Sequence, residues 1–472
     1  MDGFDLIVIG SGAGTHVASV ASKEGLRAAL VDQGPAGGVC LNNGCIPSKM
    51  LIYPADLVRI IQSAGDVGVD GRIAGIDFHK IMNRMHFLVE KNREHLEKEI
   101  KAKENITWYS ARAEFIGDHA LKVGDKTLTA PRIVIATGAR ALVPPIQGLK
   151  ESGYLDNVTL LDLEEPPKSL IIIGAGYVAC EYGHFFSAMG TKVTILGRNP
   201  RILKNDDPEV SSIVYDVLSE FMTILTNHEV VEVELKGGRK VVYARNHADG
   251  KIYEFGSDEI LLAAGRLSNS DLLKPDRTGV ETDHSGWIKV NRYLETTGKD
   301  IWAIGDALGR SMFRHTAKYE SEVVIHNMLK AERKEDRKEA DFHSVPHAVF
   351  TNPQVAGVGL KESDAIDAGH KVLVGRARYT DLAKGVAMAE EHGLVKVVVE
   401  EGTGRILGCS IVGPEASELI QQVVYLMNAD AQGLELLSRS QIIHPTLNEV
   451  LYRAFANSTI DEQEVGVKEL KE

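Results

Sequence analysis

The chain has 472 residues, 44% hydrophobic and 25% charged, with a net charge of −13 and an isoelectric point near 5.7. That length supports about three separately packed cores. The acidic balance speaks against nucleic acid and anionic membrane surfaces as partners, and no apolar run approaches the ~18 residues that a membrane span needs.

In chain order, Asp2-Gly3-Phe4-Asp5 carries no secretory pattern and runs into the apolar strand Leu6-Ile7-Val8-Ile9. A reducing, cytoplasmic setting is therefore expected. Gly10, Gly12 and Gly14 then open a helical segment. Glycines in a strand–turn–helix unit permit the tight turn and let backbone N–H groups approach a pyrophosphate at the helix N-terminus. Thr15 stands where the usual pattern has its third glycine, which predicts slightly wider packing of helix on strand. Asp32 closes the next strand, Ala28–Asp32. A carboxylate about 20 residues past the glycines can accept hydrogen bonds from ribose hydroxyls and repels a 2′-phosphate. The alternative is a solvated strand-end aspartate.

Two of the four cysteines, Cys40 and Cys45, come next, five positions apart. On an uninterrupted helix that offset leaves the Cα atoms roughly 8–9 Å apart, too far for a disulfide. Asn42, Asn43 and Gly44 are poor helix formers and can bend the backbone until the sulfurs meet. The expected outcome is a strained, accessible disulfide that exchanges; a static disulfide or two unrelated thiols are the alternatives. Cys180 and Cys409 are isolated, so no four-ligand zinc set is expected. Lys80 to Lys103 is rich in helix formers and charge pairs and reads as a long exposed helix.

The opening pattern returns at Leu170-Ile171-Ile172-Ile173-Gly174-Ala175-Gly176-Tyr177-Val178-Ala179. Two such units in strand–turn–helix context argue for two dinucleotide sites. The second differs at its strand end, where Lys192–Leu196 runs into Gly197-Arg198, with Arg201 and Lys204 behind and no acidic residue at the tip. Guanidinium groups suit a phosphate, so NADP(H) is favoured over NAD(H) there; solvated loop cations are the alternative. Lys330 to Glu339 reads as a charged connector or helix end, Val372 to Gly413 as strand-rich, and Glu418 to Met427 as a helix.

Further segments complete a pattern: Ala136-Thr137-Gly138, Ala264-Gly265-Arg266, Ile301-Trp302-Ala303-Ile304-Gly305-Asp306 and His444-Pro445-Thr446-Leu447-Asn448-Glu449. With the cysteine segment they resemble the flavoprotein pyridine nucleotide-disulfide oxidoreductases, which include dihydrolipoyl dehydrogenase and glutathione, mycothione and mercuric reductases. The resemblance implies an α/β chain with two Rossmann-like dinucleotide-binding domains and a C-terminal α+β dimerisation domain. It implies an FAD-binding and central domain over 1–145 and 270–340, an NAD(P) domain over 146–269 and a dimerisation domain over 341–472.

By the same resemblance Cys45 lies nearer the flavin as the charge-transfer thiolate and Cys40 is the interchange thiol. His444, oriented by Glu449, holds the interchange proton and reaches the cysteines from the other subunit of a homodimer. Lys49 and Glu181 form an ion pair beside the flavin. The FAD set comprises Gly10, Gly12, Gly14, Asp32, Lys49, Ala113, Thr137, Gly138 and Asp306. The NAD(P) set comprises Gly174, Gly176, Tyr177, Ala179, Arg198, Lys204 and Gly265, with Tyr177 shielding the flavin until nicotinamide displaces it.

The substrate is expected to be a small dithiol or disulfide. Cys-Ile-Pro-Ser-Lys and His-Pro-Thr-Leu look like dihydrolipoyl dehydrogenase, the first choice, with a 2-oxoacid dehydrogenase complex as a partner to consider. Asn43 departs from that subgroup, Gly197-Arg198 resembles the NADPH-using reductases, and Gly12-Ala13-Gly14-Thr15 and Met50 resemble mycothione reductase; an NADPH-dependent reductase of glutathione or mycothione type is the alternative. The chain ends Val467-Lys468-Glu469-Leu470-Lys471-Glu472 without the cysteine pair of mercuric reductases. A flavin-binding electron carrier without disulfide chemistry is the reading from another class, and Cys40 and His444 argue against it.

Overall fold

The computed structural model describes residues 2–429 and 433–458; the end of the expected dimerisation domain, 459–472, lies outside them. The first parallel sheet has the order 301–303, 133–135, 6–9, 28–32, 106–110. Its central strand Leu6–Ile9 is fully buried, packed in one core with helices Gly14–Lys23 and Arg314–Leu329 and with the small four-stranded sheet that carries Phe115, Leu121 and Leu128. Helix Gly14–Lys23 presents Val17, Ala18 and Ala21 to this core. The second parallel sheet has the order 223–225, 192–196, 169–173, 259–262, and helix Tyr177–Ala188 follows its strand Ser169–Ile173.

Small residues make the two crossovers possible. Gly10 (φ +109°) and Gly174 (φ +120°) occupy the region that side chains avoid. A Cβ on either would run into a carbonyl oxygen of the neighbouring strand end, Ala136 or Ala263. The expected loosening at Thr15 is not found. The close approach is made one residue earlier, where a Cβ on Gly14 would lie 2.7 Å from Val8 Cγ1. Thr15 is half-buried and its hydroxyl donates to Ser11 O at 2.6 Å, so it costs the packing nothing.

The segment read as an exposed helix is helix Phe78–Lys101, and it is amphipathic. Phe78, Met82, Met85 and Val89 pack in one cluster with Leu51, Ala55 and Val58 of helix Cys45–Ser63 and with the second sheet. The cysteine-bearing helix is thereby held between the two nucleotide units. Lys330–Glu339 is a connector: helix Arg314–Leu329 ends before it, and only a short 3-10 turn, Lys334–Asp336, interrupts it.

The C-terminal region is a five-stranded antiparallel sheet ordered 346–349, 355–359, 406–412, 394–400, 372–378. Helices Ala416–Met427 and Asn448–Ser458 close its core through Leu419, Ile420, Val423, Val450, Leu451 and Phe455. A Lys396 ammonium, only 5% exposed, ties this sheet to the second nucleotide unit through Asp207 (3.0 Å) and Glu209 (2.7 Å). No described helix is long and apolar enough to cross a membrane.

Candidate active site

A cavity of about 1180 Å³ opens where the three regions meet, with Cys40 and Cys45 on its wall. Helix Gly38–Asn42 carries Cys40 and stops; helix Cys45–Ser63 starts at the second cysteine. Between them Asn43 (φ −151°, ψ 31°) and Gly44 (φ −137°, ψ −113°) leave helical geometry, and that break brings the sulfurs together. Asn157 Nδ2 donates to Asn43 O at 2.8 Å and fixes the break. The two cysteines are free thiols in the structure, the reduced form of a pair that can exchange. They share a hydrogen bond that acts in opposite directions on the two groups. The bond from Cys40 brings the Cys45 thiol down to about 7, with Lys49 helping and burial opposing. The same bond and burial push Cys40 well above the ordinary thiol range, with Arg314 opposing weakly. Cys45 is thus the member that carries the charge when the pair loses its first proton.

Lys49, one helical turn beyond Cys45, meets Glu181 at 2.9 Å and lies 4.3 Å over the Phe350 ring. The Glu181 carboxylate is 9% exposed and also accepts from Phe350 N at 3.0 Å, so its charge is met by two donors. Tyr177 opens the same helix as Glu181. Its ring lies nearly parallel to His347 (5.8 Å, 6°) and Phe313 (6.2 Å, 21°). Burial and nearby Asp206 push its hydroxyl well up. Asp306 also lines the cavity; burial raises its carboxyl, opposed by Arg266 at 3.8 Å.

The cavity walls carry features that suit a flavin dinucleotide. Helix Gly14–Lys23 has no side-chain cap and no acidic residue in its first turn, so its N–H groups are available to a phosphate. A Cβ on Gly12 or Gly138 would project into open space, which is the cradle a close-lying ligand fills. Thr137 Oγ1 and Arg266 Nε are buried without partners. Asp32, Ala113, Thr137, Gly138 and Asp306 all line the cavity. These features fit FAD. Asp32 is less free than its strand-end position suggests, because its carboxylate accepts from Ser11 N and Oγ (both 2.7 Å) and Gly34 N (3.0 Å).

The second unit repeats the arrangement: helix Tyr177–Ala188 has Gly176 as an uncapped N-cap and no first-turn acid, and Ala179 is packed in the core below. Gly265 (φ +129°) turns the chain at the end of the unit. Arg198 and Lys204 are exposed and lie off the cavity; neither side chain has an ion pair or hydrogen bond among the described residues.

His444 and Glu449 are joined, Nδ1 to Oε2, at 3.0 Å. Glu449 is held below its usual range by that bond and by Thr446 N. The imidazole is 70% exposed and lines no part of its own chain's cavity. One chain therefore assembles Cys40, Cys45, Lys49 and Glu181, and leaves His444 facing outward.

Sequence reasoning missed four contributors. Ser11 clamps Asp32 and also accepts from Gly37 N at 3.0 Å; its place inside the glycine motif was the available signal. Arg266, partner of Asp306, stood in a quoted motif without a role. His347, paired with Asp206 at 2.7 Å, had no pattern to reveal it. Glu320, raised to about 7 by burial and accepting from Gly305 N, is one charged position among many in its helix.

Comparison with known proteins gives these features a context. The sequence model described as pyridine nucleotide-disulphide oxidoreductase matches residues 4–321, and the dimerisation domain of that family matches 345–455. The chain is 33% identical to mycothione reductase of Mycobacterium tuberculosis over 463 residues, covering 96% of this chain and 99% of the relative. It is 33% identical to dihydrolipoyl dehydrogenase of Rhizobium etli over 477 residues, covering 96% and 97%. Among solved structures, the HOCl-induced flavoprotein disulfide reductase RclA from Escherichia coli superposes with a TM-score of 0.83, at 29% identity, over 96% of this chain and 99% of that one. Two glycine-cradled nucleotide folds, a cysteine pair between them and full-length similarity to such enzymes lead to one conclusion: the chain belongs to the pyridine nucleotide-disulphide oxidoreductase family, FAD-dependent enzymes that use NAD(P)(H).

Proposed function

We propose that this protein is a homodimeric reductase of a small thiol disulfide, driven by NADPH, with Cys40 and Cys45 as its exchanging pair. The observation that carries the reading is the hydrogen-bonded thiol pair on the cavity wall, in which Cys45 is the more acidic member. The bound flavin supplies two-electron transfer between nicotinamide and the disulfide. The chain's own residues do the rest. Lys49, balanced by Glu181, puts positive charge on the cavity wall, where it also acts on the Cys45 sulfur and would stabilise a reduced flavin held there. Once the Cys40–Cys45 bond has taken up two electrons, Cys40 attacks one substrate sulfur as thiolate, and the other leaves as a thiol with one proton. Cys45 then attacks Cys40, reforming the disulfide and releasing the second thiol. The partner subunit's His444, held by Glu449, moves the proton in each exchange.

NADPH is favoured over NADH by the unpaired Arg198, Arg201 and Lys204 beyond the strand Lys192–Leu196. A dihydrolipoyl dehydrogenase, reducing NAD(P)+ and serving a 2-oxoacid dehydrogenase complex, is the second reading. Ser48, whose hydroxyl donates to Cys45 O at 3.3 Å, and His444-Pro445-Thr446-Leu447 favour it. Steady-state assays separate the two: NADPH with small disulfides should turn over faster than dihydrolipoamide with NAD+ or NADP+. The reverse ranking replaces the first reading with the second. Cys40→Ser should abolish disulfide turnover while the flavin still passes electrons to artificial acceptors; surviving turnover would overturn both.

A further inference from the structure

The charges on the cavity wall are nearly all accounted for. Lys49 is matched by Glu181, Arg266 by Asp306, and Asp32 by Ser11 and Gly34. Arg310 reaches Val290 O at 3.5 Å and lies 5.6 Å from the Phe342 ring centroid. Arg112 reaches Leu272 O at 3.5 Å. Arg314 is different. It is the first residue of helix Arg314–Leu329, exposed, on the same wall as Cys40, and close enough to act electrostatically on that thiol. Its guanidinium has no ion pair or hydrogen bond among the described residues. Glu418, the carboxylate on the wall without a partner among the described residues, makes no ion pair with it.

We propose that Arg314 reads an anion on the substrate: it binds a carboxylate carried by the small thiol or disulfide that exchanges with Cys40, making the enzyme selective for acidic over neutral disulfides. This rests on the disulfide-reductase reading and narrows its substrate class. A substrate must bring a sulfur to Cys40, so the groups a few bonds from that sulfur come within reach of the guanidinium. The planar fork of arginine pairs bidentately with a carboxylate and gains little from an amide. A disulfide ending in a neutral amide, as lipoamide does, leaves this cation unused.

The test compares reagents of equal shape and different charge. In the NADPH-reduced holoenzyme, the rates of thiol alkylation by iodoacetate and by iodoacetamide give a ratio that cancels intrinsic thiol reactivity. That ratio should fall about tenfold in Arg314→Gln, the size of one partly screened charge contact. Arg314→Lys should keep most of it, and in the wild-type protein it should fall as salt is raised. In turnover with NADPH, kcat/KM for dithiodiglycolate over its diamide should collapse by a similar factor in Arg314→Gln. Flavin absorbance per chain reports that each variant is folded. A ratio indifferent to salt and to both substitutions overturns the role of Arg314. If the alkylation ratio responds but neither disulfide is turned over by the wild type, Arg314 still reads anions and the reductase reading is the one that fails.

Discussion

The two nucleotide units solve one backbone problem identically and then part at a single strand end. Gly10 and Gly174 take the same positive φ for the same reason, a carbonyl that a methyl group would strike. Twenty-odd residues later the first unit ends in Asp32, clamped by Ser11, and the second in Gly197-Arg198, with cations that nothing in the described chain holds. The shared part is what any dinucleotide demands of a backbone; the part that differs tells which dinucleotide. Binding capacity and binding preference are therefore separable by substitution.

The largest effect should come from the shared part. Gly10→Ala forces both the clash and the unfavourable φ, a cost of about 3 kcal/mol or more, and should yield protein depleted of flavin. Gly174→Ala should instead keep its flavin, measured by absorbance per chain, and lose reduction by NADPH in stopped flow. Loss of flavin in both would mean that the units fold as one and cannot be separated. Next comes the part that differs. Arg198→Ala should raise the Kd for NADPH by about ten- to a hundredfold, the worth of one charge-assisted contact, and leave NADH nearly unchanged. Equal losses would remove its phosphate role.

Between the units lies the cysteine pair, where the proton balance can be shifted without touching either glycine turn. In the reduced protein, thiolate absorbance should appear with a midpoint near pH 7, because Cys40 donates to Cys45. Cys45's folded value lies below its ordinary one of 9.0, so the Cys45 thiol contributes stability that is present above the ordinary value and lost as pH falls through about 7, while the raised Cys40 acts in the opposite sense. Cys40→Ala removes the leading cause and should move the midpoint upward; an unmoved midpoint would assign the shift to Lys49. The smallest effect is expected at Thr15→Ala, about 1 kcal/mol in thermal unfolding for one lost hydrogen bond, with flavin content intact.

Much of this was legible in the sequence because glycine turns, strand ends and the cysteine spacing are local. The strands Leu6–Ile9 and Ser169–Ile173 and the helices after them follow from the two repeated patterns, and the helix break at Asn43-Gly44 from residues that resist helix. What stayed hidden is non-local. The buried face of helix Phe78–Lys101 is masked by its polar and charged majority, and its partners lie on another helix and the second sheet. His347 and Asp206 are 141 positions apart and meet only in three dimensions. Arg314 lies in none of the motifs, and only the cavity sets it with Cys40. The expectation about Thr15 failed because the pattern counted glycines, whereas the contact with Val8 is made by Gly14.

The parallel rings of Tyr177, Phe313 and His347 have one more implication. Tyr177 starts a helix of the second unit, Phe313 precedes helix Arg314–Leu329, and His347 sits in the edge strand Pro346–Val349 of the C-terminal sheet. If a nicotinamide swings Tyr177 aside, His347 loses a neighbour while still tethered to Asp206. The disturbance then reaches the sheet whose core includes the helix that follows His444. The three rings thus tie together the second nucleotide unit, the start of helix Arg314–Leu329 and the C-terminal sheet, so displacing any one of them disturbs contacts in the other two.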